Sequence, residues 1–327
     1  MKDIFLEKLS HIYSPSHLKK VITGLETSKR PVTFRVNYIL SNESEVEEAL
    51  EKSNIKYKKI DVFSGIYQLD LDLNESDLWS LDIYTSGKIY LQSFASQLPV
   101  HFFEATDETI NILDATAAPG GKTLQLAEMF PNATIYAVEK SKVRYEKLKY
   151  NIKKLGENPS QSPLIRGEVN RIQAFHLDIT QIGKHEILKD IKFDKILVDV
   201  PCSSEGRFHI HDPKCFDHWD QGTNKRYYRL QKSILDAILP FLKSEGELIY
   251  STCTLSPEEN EGILHYLLCN YPELSSLPID LKQDNIQPGI TQFGKYIYKK
   301  ETTNCIRCLP SEKSEGFFIA KLVKNIN

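Results

Sequence analysis

From Asn111 onward, short apolar runs alternate with segments whose apolar residues recur at helical spacing. That alternation predicts parallel strands joined by covering helices. The strands read from the pattern are NILDAT, TIYAVE, IQAFHLD, KILVDVP and ELIYSTC. KTLQLAEMF reads as a helix between the first two, and Tyr145, Leu148, Ile152 and Leu155 repeat at helical spacing with lysines on the opposite face. That helix should end at Gly156. Another is expected from about Arg226 to Leu242, and one more opening at PEENEGILHYLL, with Pro257 and acidic residues in its first turn. IRCLP and GFFIAKLV flank the polar turn SEKSEG as a terminal hairpin. Ahead of Asn111 the order differs: a helical start, TFRVNYI as a strand, SEVEEALEK as a helix, then KKIDVF and IYQLDL. The expectation is a small α+β module over residues 1–87 and a larger domain over 88–327.

Composition narrows the class. A chain of 327 residues with 41% hydrophobic and 26% charged residues is of ordinary globular type. Its start, MKDIFLEKLSHIY, lacks a signal peptide's apolar core, and no run has the length of a membrane span, so a cytoplasmic protein is expected. Six scattered cysteines suit a reducing compartment. The net charge of −3 excludes a uniformly basic coat but not a local basic groove.

The sharpest local signal is DATAAPGGKT, residues 114–123, between a strand and a helix. Small residues there let backbone N–H groups approach an anionic or carboxylate ligand at a helix N-terminus. A phosphate-binding NTPase loop fits the spacing around Gly121, Lys122 and Thr123, except that Thr116 replaces the first Gly. The next strand favours a nucleoside cofactor instead. It ends in Glu139, roughly 20 residues on, where a carboxylate can bridge two ribose hydroxyls. Asp178 follows the third strand, placed to accept from an adenine amino group. Taken singly, either acid reads equally well as a solvated strand end; with the loop they point to S-adenosylmethionine.

Two cysteines end adjacent predicted strands, Cys202 in DVPCSSEG and Cys253 in YSTCTLSPEEN. A lone cysteine in a strand is commonly packing. At the strand ends of an open α/β sheet, where ligands bind, a thiolate is a nucleophile. Cys305 and Cys308 form one CxxC with no second pair, so no metal site is expected. His209 and His211 follow the Cys202 loop and could touch RNA, but exposed loop histidines are usually bystanders; Trp219 could stack on a base, with core packing the favoured role.

With RVN at 35–37, QSFASQLPV at 92–100 and the closing GFFIAKL, these motifs occur in an order that resembles the RNA 5-methylcytosine methyltransferases of the NOL1/NOP2/Sun (RsmB/NOP) family. The likeness covers nearly the whole chain. Ser204 stands where that family usually has Gly, and residues 157–171 look inserted. The resemblance implies a class I S-adenosylmethionine-dependent fold, Rossmann-like, with a seven-stranded sheet ending in an antiparallel hairpin. It implies that Thr116, Ala117, Ala118, Pro119, Gly120, Gly121 and Lys122 hold the methionine end of S-adenosylmethionine, with Glu139 on ribose, Arg144 nearby and Asp178 by adenine. Asp199 would lie between cofactor and base, Cys253 would be the nucleophile and Cys202 its assistant. The expected partner is RNA, ribosomal first and transfer second, and the expected state is a monomer without metal. For RNA, the basic candidates are the Lys140–Arg171 stretch and an N-terminal set. From the latter, Lys29, Arg30 and Arg35, with Asn37 of the RVN segment, are the expected contacts.

Overall fold

The computed structural model describes residues 1–156, 171–220 and 222–326. The inserted stretch read from the sequence, with Arg166, falls almost wholly outside them. The chain divides into two compact units, one of residues 29–179 and one joining 1–28 to 180–327. This division does not follow a cut near Gly87.

The unit of residues 29–179 begins with an antiparallel sheet built from β1 (Thr33–Val36), β2 (Tyr57–Lys59), β3 (Ile66–Leu69) and β4 (Ile89–Leu91), in the order β2-β3-β1-β4. The strand, helix, strand, strand order expected here is present, with Glu43–Lys52 as the helix. Asn42 caps it, its side chain accepting from the Glu45 N–H. Phe34, Val36, Val46, Leu50, Tyr67 and Leu69 close the core between that helix and the sheet. β4 was not anticipated; its three residues carry no period long enough to read.

Three parallel strands follow in the same unit: β5 (Asn111–Asp114), β6 (Thr134–Glu139) and β7 (Ile172–His176). They rank β5-β6-β7, with Asp114 opposite Ala137 and Glu139 opposite His176. The helices Gly121–Met129 and Lys142–Leu155 make the crossovers, as the periodicity predicted. Ser141 caps the second, accepting from the Arg144 N–H.

In the other unit β8 (Phe193–Asp199) lies parallel to β9 (Leu242–Thr252), after the helix Thr223–Ile238. β10 (Leu274–Leu277), β11 (Ile286–Pro288), the short ladder of β12 (Gln292–Phe293) and β13 (Tyr296–Ile297), then β14 (Ile306–Cys308) and β15 (Phe317–Lys324) complete it. β14 and β15 form the antiparallel hairpin expected, and β15 returns antiparallel to β9. β10 and β11 pair onto the hairpin and were not foreseen.

The helix expected to open at Pro257 instead runs Glu261–Asn270. Residues 257–260 form turns, because Glu259 and Asn260 are fully buried and their side chains are committed elsewhere. Asn260 bonds the Thr252 hydroxyl at 2.7 Å and the Thr254 carbonyl at 3.0 Å.

The first two helices, Lys2–Ile12 and Pro15–Glu26, belong to this unit. Phe5, Leu9, Val21 and Leu25 share one core with Phe208, Trp219, Leu255 and Leu309. Gly24 is required where this helix meets the chain, since a Cβ there would sit 2.2 Å from the Pro310 carbonyl carbon. No helix among the described residues is long and apolar enough to cross a membrane.

Candidate active site

The glycine loop takes the conformation its composition requires. Gly120, at φ +110°, precedes the helix Gly121–Met129 and offers no side chain to cap it, so no side chain at that position blocks a ligand's approach to the helix start. The loop is held from several sides. The Ala117 N–H donates to the Val138 carbonyl at 2.9 Å, Asn151 donates to the Pro119 carbonyl at 2.8 Å, and Arg144 donates to the Ala118 carbonyl. Asp114 is buried and accepts from the Thr123 hydroxyl at 2.6 Å. Lys122 donates to the Ser96 hydroxyl at 2.7 Å, which ties the QSFASQ segment to the loop.

Glu139 ends β6 almost fully buried, accepting from the Ser141 N–H at 2.7 Å, with Arg144 3.5 Å away. Asp178, a third exposed, follows β7 and pairs with Lys140 at 2.7 Å. A glycine-lined helix start with carboxylates after the next two strands suits a ligand that has a carboxylate at one end and a nucleoside at the other.

RVN turns out to support this loop. Arg35 is buried, lies 5.3 Å over the Tyr90 ring, pairs with Glu128 and donates to the Gly121 carbonyl at 3.0 Å. Asn37 is buried and donates to the carbonyls of Gly87 (2.9 Å) and Leu155 (2.8 Å). With their donors spent inside the fold, these two are not placed to grip a phosphate, which corrects that part of the expectation. Lys29 is exposed and Arg30 half-buried. In the other basic stretch, Arg171 is turned inward to the Ala127 carbonyl at 2.7 Å, while Lys142 and Lys149 pair with Glu146.

In the other unit the two cysteines meet. Cys202 and Cys253, both free thiols, lie 3.3 Å apart between sulfurs. Ser204 adopts the left-handed conformation at φ +59°, uncommon for a side-chain-bearing residue. Its Oγ reaches 3.5 Å from Cys253 Sγ and 4.0 Å from Cys202 Sγ.

These surroundings separate the two thiols. Cys253 is held below the ordinary thiol value, first by the hydrogen bond from Cys202, then by Ser204 and the Arg207 guanidinium, against burial and Asp199. Cys202 is raised well above it, first by its bond to Cys253 and then by burial. Asp199, at the end of β8, accepts from the Ser251 hydroxyl at 2.9 Å.

A polar network that the sequence did not reveal underlies both cysteine loops. Glu259 accepts from the Ser203 N–H at 3.0 Å, Asn224 at 2.8 Å and Gln231 at 2.9 Å. Burial and then the neighbouring Glu205 push its carboxyl up to about 7, against those three donors. Glu205, buried, accepts from Trp219 Nε1 at 2.8 Å, Asn224 at 3.0 Å and Lys8 at 3.0 Å. Trp219 is therefore a core residue with a structural hydrogen bond. His209 contacts the Glu26 carbonyl at 3.1 Å, and His211 lies 3.6 Å from the Glu26 carboxylate. Cys305 and Cys308 are buried in and beside β14, burial pushing Cys308 up to about 12. Among the described residues no group of three or more His, Cys, Asp or Glu converges as a metal site.

Parallel strands with crossover helices, a glycine-lined helix start and a closing antiparallel hairpin define a class I methyltransferase fold. A methyltransferase homologue from Pyrococcus horikoshii has the same fold, with a TM-score of 0.80, 27% identity and coverage of 98% of this chain and 94% of that one. The chain belongs to the 16S rRNA methyltransferase RsmB/F family, whose profile matches residues 101–323. Among curated relatives, a probable ribosomal RNA small subunit methyltransferase B from Coxiella burnetii is 28% identical over 315 residues. A ribosomal RNA small subunit methyltransferase F from Shewanella piezotolerans is 30% identical over 322 residues. Each alignment covers 95% of this chain but only 65% and 61%, respectively, of the relative's length.

Proposed function

We propose that the protein methylates carbon 5 of a cytosine in RNA, ribosomal RNA first, using S-adenosylmethionine, with Cys253 as nucleophile. The observation that carries this reading is the unequal thiol pair 3.3 Å apart, one member biased toward thiolate and the other toward thiol. When bound, the cofactor supplies an electrophilic methyl group. Thr116 to Lys122 would receive its carboxylate end, Glu139 its ribose, with Arg144 beside it, and Asp178 its adenine.

Cytosine's carbon 5 is a weak nucleophile. Addition of the Cys253 thiolate at carbon 6 makes the ring enamine-like, so that carbon 5 can take the methyl. Asp199 would hydrogen-bond the ring nitrogen or amino group as charge develops there, with the Ser251 hydroxyl fixing its carboxyl. Once Cys253 is bound to carbon its negative charge is gone. The largest of the influences that raised Cys202 is thereby removed, although burial remains, and Cys202 gives up its proton more readily. Cys202 as thiolate can then take the carbon 5 proton, which lets the Cys253–carbon 6 bond break. Access to the ring face requires an unstacked base.

The direct test is single-turnover transfer of labelled methyl from S-adenosylmethionine to small-subunit and transfer RNA transcripts, mapped by bisulfite sequencing. Methyl on a base other than cytosine, or at another atom, would refute it.

The cofactor assignment predicts that Glu139→Ala and Asp178→Ala each weaken S-adenosylmethionine binding by roughly 1.5 to 3 kcal/mol, about 10- to 150-fold. Calorimetry that finds wild-type affinity in both variants would remove these residues from the site.

For RNA, Lys29 and Arg30 remain the candidate contacts of the N-terminal set. Lys29→Glu with Arg30→Glu should lower RNA affinity and flatten the log–log salt slope by about 0.7 per lost phosphate contact on a single strand. S-adenosylmethionine affinity should not change. Equal RNA affinity in the double variant would move attention to the Lys140–Arg171 stretch.

A further inference from the structure

Lys8 lies in the first helix, 194 residues before Cys202 and 245 before Cys253 in sequence. Its side chain is only 13% exposed, an unusual place for an ammonium group. There it donates to Glu205 at 3.0 Å, Asn224 Oδ1 at 3.0 Å and the Ser256 hydroxyl at 2.9 Å, with Glu258 at 3.6 Å. Glu205 is the third residue after Cys202, and Ser256 is the third after Cys253. One cation thus binds both cysteine loops at the same offset.

Asn224 extends the connection. Its amide nitrogen bonds the Ser203 hydroxyl at 3.2 Å, Glu205 and Glu259, and the Ser203 hydroxyl meets Thr254 Oγ1 at 2.6 Å. Ser203 and Thr254 are the residues immediately following the two cysteines. The core shared by Phe5 and Leu9 with Phe208 and Leu255 fixes the helix that delivers Lys8.

We propose that Lys8 is a positioning residue of the two-cysteine site: by tying the loop after Cys202 to the loop after Cys253, it sets the separation at which the two thiols share a hydrogen bond. The proposal rests on the reading of Cys253 as nucleophile, yet it concerns thiol geometry and can be tested without RNA. The groups that face Cys253 are Cys202, Ser204, Arg207 and Asp199. Of these, the bond from Cys202 contributes most to the ease with which Cys253 ionises, so a loosened pair should ionise at higher pH.

The experiment measures iodoacetamide alkylation of Cys253 across pH by peptide mass spectrometry, in the full chain, for wild type, Lys8→Met and Lys8→Arg. Lys8→Met should move the Cys253 profile to higher pH, and Lys8→Arg should recover part of the shift. In methyl transfer, Lys8→Met should lower kcat by about 10- to 100-fold, the scale on which a small misplacement of reacting groups acts. KM for RNA and affinity for S-adenosylmethionine should stay within about twofold of wild type.

A wild-type alkylation profile in Lys8→Met with intact cofactor binding overturns the proposal. If Lys8→Met does not fold, Ser256→Ala removes one arm of the clamp alone and should give a smaller shift in the same direction; no shift there overturns it equally. A shifted profile beside a wild-type protein that transfers no methyl to RNA would uphold the clamp and reject the proposed reaction.

Discussion

Replacing Cys253 with Ser should abolish both methyl transfer and covalent attachment to RNA, a loss of roughly 10⁴-fold or more, as expected when a nucleophile is removed from a set of groups that act together. A hydroxyl at this position cannot use the stabilisation that favours a thiolate there, the hydrogen bond from Cys202 and the nearby Arg207 charge. Cys202→Ser should behave differently. Cys253 can still add to the ring and the methyl can still arrive, but the carbon 5 proton is left without its base. A protein–RNA adduct should therefore accumulate and survive denaturing electrophoresis. The measurement is made under reducing conditions, because thiols 3.3 Å apart are close enough to be joined by an oxidant. Adduct in Cys253→Ser and none in Cys202→Ser would exchange the two roles.

The candidate residues that were legible in the sequence are those whose chemistry is local. DATAAPGGKT carries its own backbone requirement at Gly120, and each cysteine follows a strand whose apolar run marks it. The strands β5 to β9, the helices between them and the closing hairpin were legible for the same reason, since their apolar patterns are local and uninterrupted. What could not be read is what joins distant segments. Nothing in KDIFLEKLSHI distinguishes Lys8, paired with a glutamate 197 residues away, from a solvated lysine on an amphipathic helix.

RVN misled for a related reason. Arginine and asparagine in a short strand look like ligands for RNA until the fold supplies Glu128, the Gly121 carbonyl and the end of a helix as their partners. The first two helices were grouped with the strands that follow them in sequence, whereas their apolar faces belong to the core beneath the Cys202 loop. Short additions such as β4, β10 and β11 have three or four residues each, too few to show a period. Burial of Glu259 and Asn260 likewise outweighed the helix-opening signal of Pro257.

The largest stability effect should come from the pair Arg307 and Glu261. Arg307 is 2% exposed and Glu261 fully buried, and the guanidinium meets the carboxylate through two bonds of 2.6 and 2.7 Å. Its remaining nitrogen donates to the Tyr13 hydroxyl at 3.0 Å and to the Leu255 carbonyl at 3.1 Å. The Ile290 N–H adds a bond to Glu261 at 3.1 Å. A buried ion pair of this kind gains little over a well-packed apolar pair, but removing one partner leaves the other charge without compensation. Arg307→Met should therefore cost about 3–5 kcal/mol, read from urea unfolding at neutral pH. Arg307→Met with Glu261→Gln should recover much of that loss, because no net charge then stays buried. Additive losses in the double variant, or a cost below about 1 kcal/mol in the single one, would contradict this account. Activity should fall as well, since Glu261 begins the helix after the Cys253 loop and Arg307 holds the carbonyl of Leu255, two residues beyond Cys253. The folded fraction of Arg307→Met should thus transfer methyl more slowly than wild type at temperatures well below its unfolding midpoint, and that slowing separates a displaced Cys253 loop from simple loss of folded protein.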